Sequence, residues 1–207
     1  MKTDTNAREF AAKLQVGDVV FIRVHARPFR EVAAATASWT NHVGIVVGNS
    51  QTETLIAEST FPFSRTTTFN RFAGRSEHGR IAIGRPRAPL TPSQQIRLSE
   101  AARRRTGIWY DSGFNLQSGR QFCSRFVREV LSEAANVSVG EVESFKALLA
   151  RQPRAALGFW RLWFFGRIPW ERETVTPASL LRSPALHLVF DGVLLPEVAV
   201  RRDGARA

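Results

Sequence analysis

The stretch Gln121-Phe122-Cys123-Ser124-Arg125-Phe126-Val127 carries the only cysteine of the chain and opens a helical repeat. Phe122, Phe126, Val127, Val130, Leu131 and Ala134 recur at helical spacing, with Arg125, Arg128, Glu129 and Ser132 on the other face. That pattern predicts a helix from about 122 to 134. A thiol at the start of a helix meets the positive end of the peptide dipoles, which favours the thiolate that attacks carbonyls. Loop signals precede it, Asp111-Ser112-Gly113 and Gln117-Ser118-Gly119-Arg120. Free cysteine is also a common small core residue, and the apolar neighbours of Cys123 suit that plainer role.

Upstream, Asn41-His42-Val43-Gly44-Ile45-Val46-Val47 reads as one strand and a second ends in Ile56-Ala57-Glu58-Ser59, with turn-rich Gly48-Asn49-Ser50-Gln51 between them. Taking Asn49 to Gln51 as the turn of a hairpin pairs 48 with 52, 46 with 54, 44 with 56 and 42 with 58. Directly opposed side chains lie ~5 Å apart, so Glu58 would accept a proton from His42. A one-residue slip would separate them onto opposite faces. His25, His78 and His187 compete with His42 only as single residues in loop or strand contexts, where structural or solvated histidines are the rule.

The remaining pattern is strands first and helices later. Val16-Gly17-Asp18-Val19-Val20-Phe21-Ile22-Arg23 is a turn leading into a buried strand after a short polar arm. Residues 33–38 are small and compatible with a helix, 79–85 form a third strand, and 66–76 read as a loop or short helix. Thr91, Pro92 and Gln94 make a capping box with proline at N1, and Gly107 supplies the stop. A helix over 141–150, another started by Thr176-Pro177, and a late strand over 186–190 complete the list. This order is α+β, an antiparallel sheet packed by helices, rather than the alternation of a parallel sheet. One domain spanning 1–200 is expected, with 201–207 as a disordered tail.

Composition narrows the classes. The chain has 207 residues, 43% hydrophobic and 23% charged, which suits one well-filled core. A single cysteine excludes an internal disulfide and any C-x-x-C metal or redox pair. No metal or cofactor motif is present, the first residues lack an apolar signal core, and no run approaches the ~20 apolar residues of a membrane span. A cytoplasmic protein is the expectation, with peripheral membrane contact as an addition to it. Net charge is +11, nearly all arginine, since lysine occurs only at 2, 13 and 146. Such a surface favours anions. The charge is dispersed, with Arg103-Arg104-Arg105 its tightest cluster, and no zinc finger, P-loop or aromatic-basic RNA motif accompanies it. Nucleic acid is therefore not the expected partner. Three of the five tryptophans fall between 160 and 170, around Phe159-Trp160-Arg161-Leu162-Trp163-Phe164-Phe165. Packing into the core is favoured for that segment over a pocket wall or a membrane contact.

Together, Gly17-Asp18-Val19-Val20-Phe21, Asn41-His42-Val43-Gly44-Ile45-Val46, Glu58, Tyr110-Asp111 and Phe122-Cys123-Ser124-Arg125-Phe126-Val127 resemble the NlpC-type superfamily of papain-like cysteine hydrolases. More narrowly the chain is similar to the circularly permuted YiiX/YebB-like branch, in which the histidine precedes the cysteine. Val175-Thr176-Pro177-Ala178-Ser179-Leu180 with Ser183-Pro184-Ala185-Leu186 is similar to that branch's C-terminal region. The resemblance implies a permuted papain-like fold built on an antiparallel sheet or partial barrel. It also implies a Cys-His-Glu triad: Cys123 as nucleophile, His42 as base and then acid, and Glu58 as orienter. Tyr110 matches a tyrosine near the cysteine and is expected at the substrate. Arg125 departs from the acidic or small residue common after Cys-Ser, and would alter charge at the site's mouth.

The expected activity is hydrolysis of an amide or ester through an acyl-enzyme, on a small-molecule, peptide or lipid-linked substrate. Two alternatives come from other classes. One is a thiol acyltransferase like the lecithin:retinol acyltransferase family, whose members usually carry a second histidine where this chain has Glu58. The other is a non-catalytic basic module that binds anionic lipid or nucleic acid.

Overall fold

The computed structural model describes residues 7–50, 53–152, 155 and 157–194. In chain order the elements are α1 (Ala7–Ala12), β1 (Val19–Val24), α2 (Arg27–Ala35), β2 (His42–Asn49), β3 (Thr54–Glu58), β4 (Arg65–Thr68), α3 (Phe69–Ala73) and β5 (Ser76–Pro86). They continue with α4 (Pro92–Arg104), α5 (Cys123–Ala135), β6 (Val142–Ser144), α6 (Phe145–Ala150), α7 (Leu157–Trp163), β7 (Glu173–Val175), α8 (Pro177–Leu181) and β8 (Leu186–Val193). The tail at 201–207 lies outside the described residues. No helix among the described residues is long and apolar enough to cross a membrane.

The main sheet is antiparallel, in the order β4-β3-β2-β1-β5-β8. Strand β1 is central, and its apolar run follows from burial on both faces. Val19 and Phe21 pack with Val43, Ile45 and Ala57 against α4 and α5, through Leu98, Phe126, Val127 and Val130. Val20 and Ile22 pack with Val46, Ile56, Ile81 and Ile83 against Phe69 and Phe72 of α3 and Ala11 of α1. A strand covered on both sides has no polar face to alternate with. A third cluster, with Ala35 of α2, Leu148 and Leu149 of α6 and Trp160 of α7, roofs one end of the molecule. The two-stranded sheet β6-β7 stands beside it.

Local signals hold where the chemistry is strong. The Thr91 hydroxyl accepts from the Gln94 backbone N–H, and the Gln94 side chain accepts from the Thr91 N–H, the capping box expected of α4. Thr176 and Ser179 make the same reciprocal pair on α8. Differences lie in the polar and short segments. The reading of 66–76 as loop or short helix covers most of β4, the polar edge strand Arg65-Thr66-Thr67-Thr68, and then α3. The 141–150 helix begins with three residues of strand, and the polar arm contains α1.

Candidate active site

Two segments converge on the backbone of Gln121, just ahead of the cysteine. Its carbonyl accepts from the Asp111 N–H (2.7 Å) and from the Ser59 hydroxyl (2.9 Å), and its N–H donates to the Trp109 carbonyl (3.0 Å). Ser59 follows Glu58 and Tyr110 lies between Trp109 and Asp111, so this junction holds the carboxylate and the phenol in register with Cys123. The cysteine is the first residue of α5, after an N-cap, Phe122, whose side chain offers no capping hydrogen bond. From inside that helix, the Ser124 hydroxyl donates to the Val175 carbonyl (2.7 Å), pinning the first turn to β7.

His42 is the first residue of β2 and is fully buried. Its Nε2 lies 2.6 Å from Glu58 Oε2. The contact does not arise from direct opposition. The observed pairs are Ile45 with Ala57 and Val46 with Ile56, then Gly48 with Leu55 after a bulge, two to three residues out of step with the hairpin expected from the turn. The wider turn, closed by the Ser50 N–H on the Glu53 carbonyl (2.9 Å), displaces the partners. The displacement of two beyond the bulge keeps the even-numbered residues on one face, so Glu58 reaches His42 diagonally.

Two aromatic rings hold the imidazole. Phe72 stacks on it at 5.6 Å between centroids and Phe29 meets it edge-on at 5.7 Å. With Nε2 committed to Glu58, Nδ1 is the nitrogen left over. It is buried without a hydrogen-bond partner among the described residues, and Cys123 is the neighbour that acts on it. Burial opposes charge on His42, but Cys123 and then Glu58 outweigh it and lift its pKa from 6.5 to about 9. The shift favours the imidazolium form of the ring. Burial likewise works against the Glu58 anion, and His42 and then Arg75 overcome it, holding the pKa at about 2.

Glu58 has two further partners that the sequence did not reveal. Arg75 Nη2 donates to Oε2 at 2.7 Å, and Arg65 Nε donates to Oε1 at 3.1 Å. Arg65 is its directly opposed residue on β4. The Arg75 guanidinium also lies 5.0 Å over the Phe72 ring that stacks on His42. Only recognition of the edge strand would have pointed to Arg65, because cross-strand opposition is the signal.

Tyr110 is partly buried next to the thiol. Burial, then negative charge at Cys123 and Asp111, pushes its pKa well above 10, so it keeps its O–H. Arg125 does not modify charge at the site. Its guanidinium binds Glu129 (2.6 Å) and the carbonyls of Ser118 (2.6 Å) and Arg120 (2.9 Å), which fastens the loop leading to Cys123. The other histidines stand elsewhere: His25 pairs with Glu77 at 3.3 Å, His78 is exposed, and His187 lies on β8 opposite Arg85.

Cys123 is only 4% exposed, yet it borders a narrow apolar cleft enclosing about 510 Å³ including its open mouth. Phe29, Val32, Phe114, Leu148 and Trp160 contribute to the walls, as does Tyr110.

A histidine that precedes the cysteine in the chain, on an antiparallel sheet against which the cysteine helix packs, is a permuted papain arrangement. The sequence model of a family described as permuted papain-like amidase enzymes, YaeF/YiiX, C92 family, matches residues 13–190. The chain belongs to this family. One relative of this family member is the uncharacterized protein YiiX of Escherichia coli (strain K12), 26% identical over 180 residues, or 87% of this chain and 88% of YiiX. The crystal structure of yiiX from Escherichia coli O157:H7 has the same fold, with a TM-score of 0.77 at 24% identity, over 86% of this chain and 98% of that one. That protein is described as a metalloprotein. In this member of the family the donors do not suit a metal ion. No three His, Cys, Asp or Glu side chains converge among the described residues, and both Glu58 oxygens already accept from cationic groups.

Proposed function

We propose that this family member is a cysteine hydrolase that cleaves an amide or ester by way of an acyl-enzyme on Cys123. The observation that carries this reading is the state of His42: one nitrogen locked to Glu58, the other unpartnered beside the sulfur. The thiolate adds to the carbonyl carbon, forming a C–S bond and an oxyanion. Donors for that oxyanion are the Cys123 backbone N–H, at the uncapped helix start, and the Tyr110 hydroxyl. As the C–N or C–O bond breaks, the imidazolium gives its proton to the leaving amine or alcohol. Neutral His42 then takes a proton from water, the hydroxide adds to the thioester, and the thiolate departs with the carboxylic acid released. Glu58 holds the ring orientation throughout.

The cleft favours an apolar acyl group, from a lipid-linked compound or a hydrophobic peptide residue. Tyr110 is shared with a second groove formed with Phe61, Pro62, Trp109 and Arg120, which offers room for the leaving group. The test is turnover of p-nitrophenyl esters and matching anilides of increasing acyl length, with intact-mass detection of the acyl adduct. Wild type should accumulate an adduct on Cys123 and release acid, while Cys123→Ala does neither. Equal turnover by the two proteins would end the proposal. Capture of the acyl group by added amines or alcohols in preference to water would move the chain to the acyltransferase class. Val32→Trp, which narrows the cleft, should lower kcat/KM for long acyl esters about tenfold and spare the acetyl ester.

The arginines give a further expectation. Arg75→Ala removes one of the cations that hold Glu58 ionised, so its pKa rises and the acid limb of the pH–rate profile moves upward. Activity at neutral pH should change little, because a carboxyl whose pKa starts at about 2 stays ionised there, and Arg75→Lys should return the acid limb toward wild type; a profile that keeps its acid limb would exclude this role.

A further inference from the structure

The aromatic segment divides into two layers, and only one of them is explained by packing. On the inner side Trp160 is buried and stacks on Phe164 at 6.2 Å, while Phe159 stacks on Trp163 at 5.6 Å. Trp163 Nε1–H donates to the Ser112 carbonyl at 2.9 Å, and the Arg27 and Arg172 guanidiniums lie over Phe159 and Phe164 at 5.8 and 5.6 Å. These contacts fix α7 to the body of the protein. On the outer side Leu162 is 80% exposed, Phe165 96% and Trp170 41%. Phe165 stands at φ 51°, and Gly166 follows at φ 91°. A phenylalanine in the left-handed region is uncommon and costly, and here the conformation carries its ring into solvent.

The charge around this layer is mainly basic; the acidic neighbour, exposed Glu171 after Trp170, pairs with Lys146 at 3.8 Å. Arg161 and Arg167 are exposed, and no hydrogen bond or ion pair engages their guanidiniums among the described residues. From Leu157 to Trp170 there is no acidic residue, and the whole chain carries +11. We infer that α7 and the turn after it form a docking surface for an anionic lipid bilayer, with Leu162, Phe165 and Trp170 entering the boundary between head groups and acyl chains. Arg161 and Arg167 meet the lipid phosphates. A second copy of the chain fits this surface poorly, because it would oppose the same two arginines and the same net charge. Anionic lipid supplies both the apolar interior and the countercharge. Trp160, on the inner layer, is also a wall of the cleft beside Cys123, so docking would hold that cleft at the lipid surface.

The experiment is vesicle flotation with the full chain, comparing phosphatidylcholine alone with phosphatidylcholine containing phosphatidylglycerol, at low and high salt. Wild type should float with anionic vesicles and lose binding as salt rises. Leu162→Asp with Phe165→Asp should weaken partitioning more than tenfold, and Arg161→Gln with Arg167→Gln about fivefold per guanidinium. All variants should keep the wild-type melting temperature and Cys123 labelling, since these side chains pack on nothing. Cys123→Ala should float like wild type, which separates this inference from the catalytic proposal. Absence of flotation, or flotation that the aspartates leave unchanged, overturns it. So does a dimer that the aspartates dissociate without any vesicle binding.

Discussion

His42→Ala should lower kcat/KM for any substrate that acylates Cys123 by about a thousandfold or more, at the upper end of what a positioned acid–base group contributes. On the proposed mechanism two losses coincide in that variant. The leaving group loses its proton donor, and the sulfur loses the cation that stabilises its charge. Because His42 is held charged up to about pH 9, the wild-type alkaline limb should report its deprotonation, and this limb should vanish in the variant. A variant retaining a tenth of wild-type turnover, with the alkaline limb intact, would remove His42 from the mechanism.

Glu58→Gln should cost about 3 kcal/mol of folding stability, the low end for breaking a buried ion pair, because Arg65 and Arg75 are partly exposed and regain solvent. For a chain of this size that is roughly 10 °C in Tm. The pH dependence follows from the direction of each shift. His42 is raised from 6.5 to about 9, so its contribution is whole below pH 6.5 and lost as pH rises through 9. Glu58 is lowered from 4.5 to about 2, so its contribution is whole above pH 4.5 and lost as pH falls through 2. The pair therefore supports the fold most between about pH 4.5 and 6.5. Thermal melts across pH should show that maximum in wild type and a flatter curve in the variant. Identical curves would mean that the pair contributes nothing to stability.

The parts of this molecule that the sequence makes legible are those with a strong local rule. The apolar runs of β1 and β2, the capping boxes at Thr91 and Thr176 and the periodic face of α5 each carry their own signal. Strand β4 does not, because Arg65-Thr66-Thr67-Thr68 lies at the sheet edge and has no apolar alternation. Strands β6 and β7 are three residues each, too short for a period to register. The meeting of His42 and Glu58 could be anticipated from parity alone, but its geometry depends on a bulge after Val46 that no local pattern announces. Arg65 and Arg75 reach the carboxylate only through that tertiary register. Arg125 shows the converse error: a charge beside a nucleophile invites a functional reading, yet loop carbonyls and Glu129 occupy it. The aromatic segment, expected mainly in the core, is split, since α7 is a surface helix with only one side covered.

The bond from Ser124 to Val175 has a bearing on how the enzyme comes into being. A ribosome delivers the strands with the imidazole and carboxylate first, the sulfur-bearing helix next, and the strand that pins that helix only after both. The start of the cysteine helix is thus fixed last. In a nascent polypeptide the cysteine therefore leaves the ribosome before the strand that fixes its helix exists.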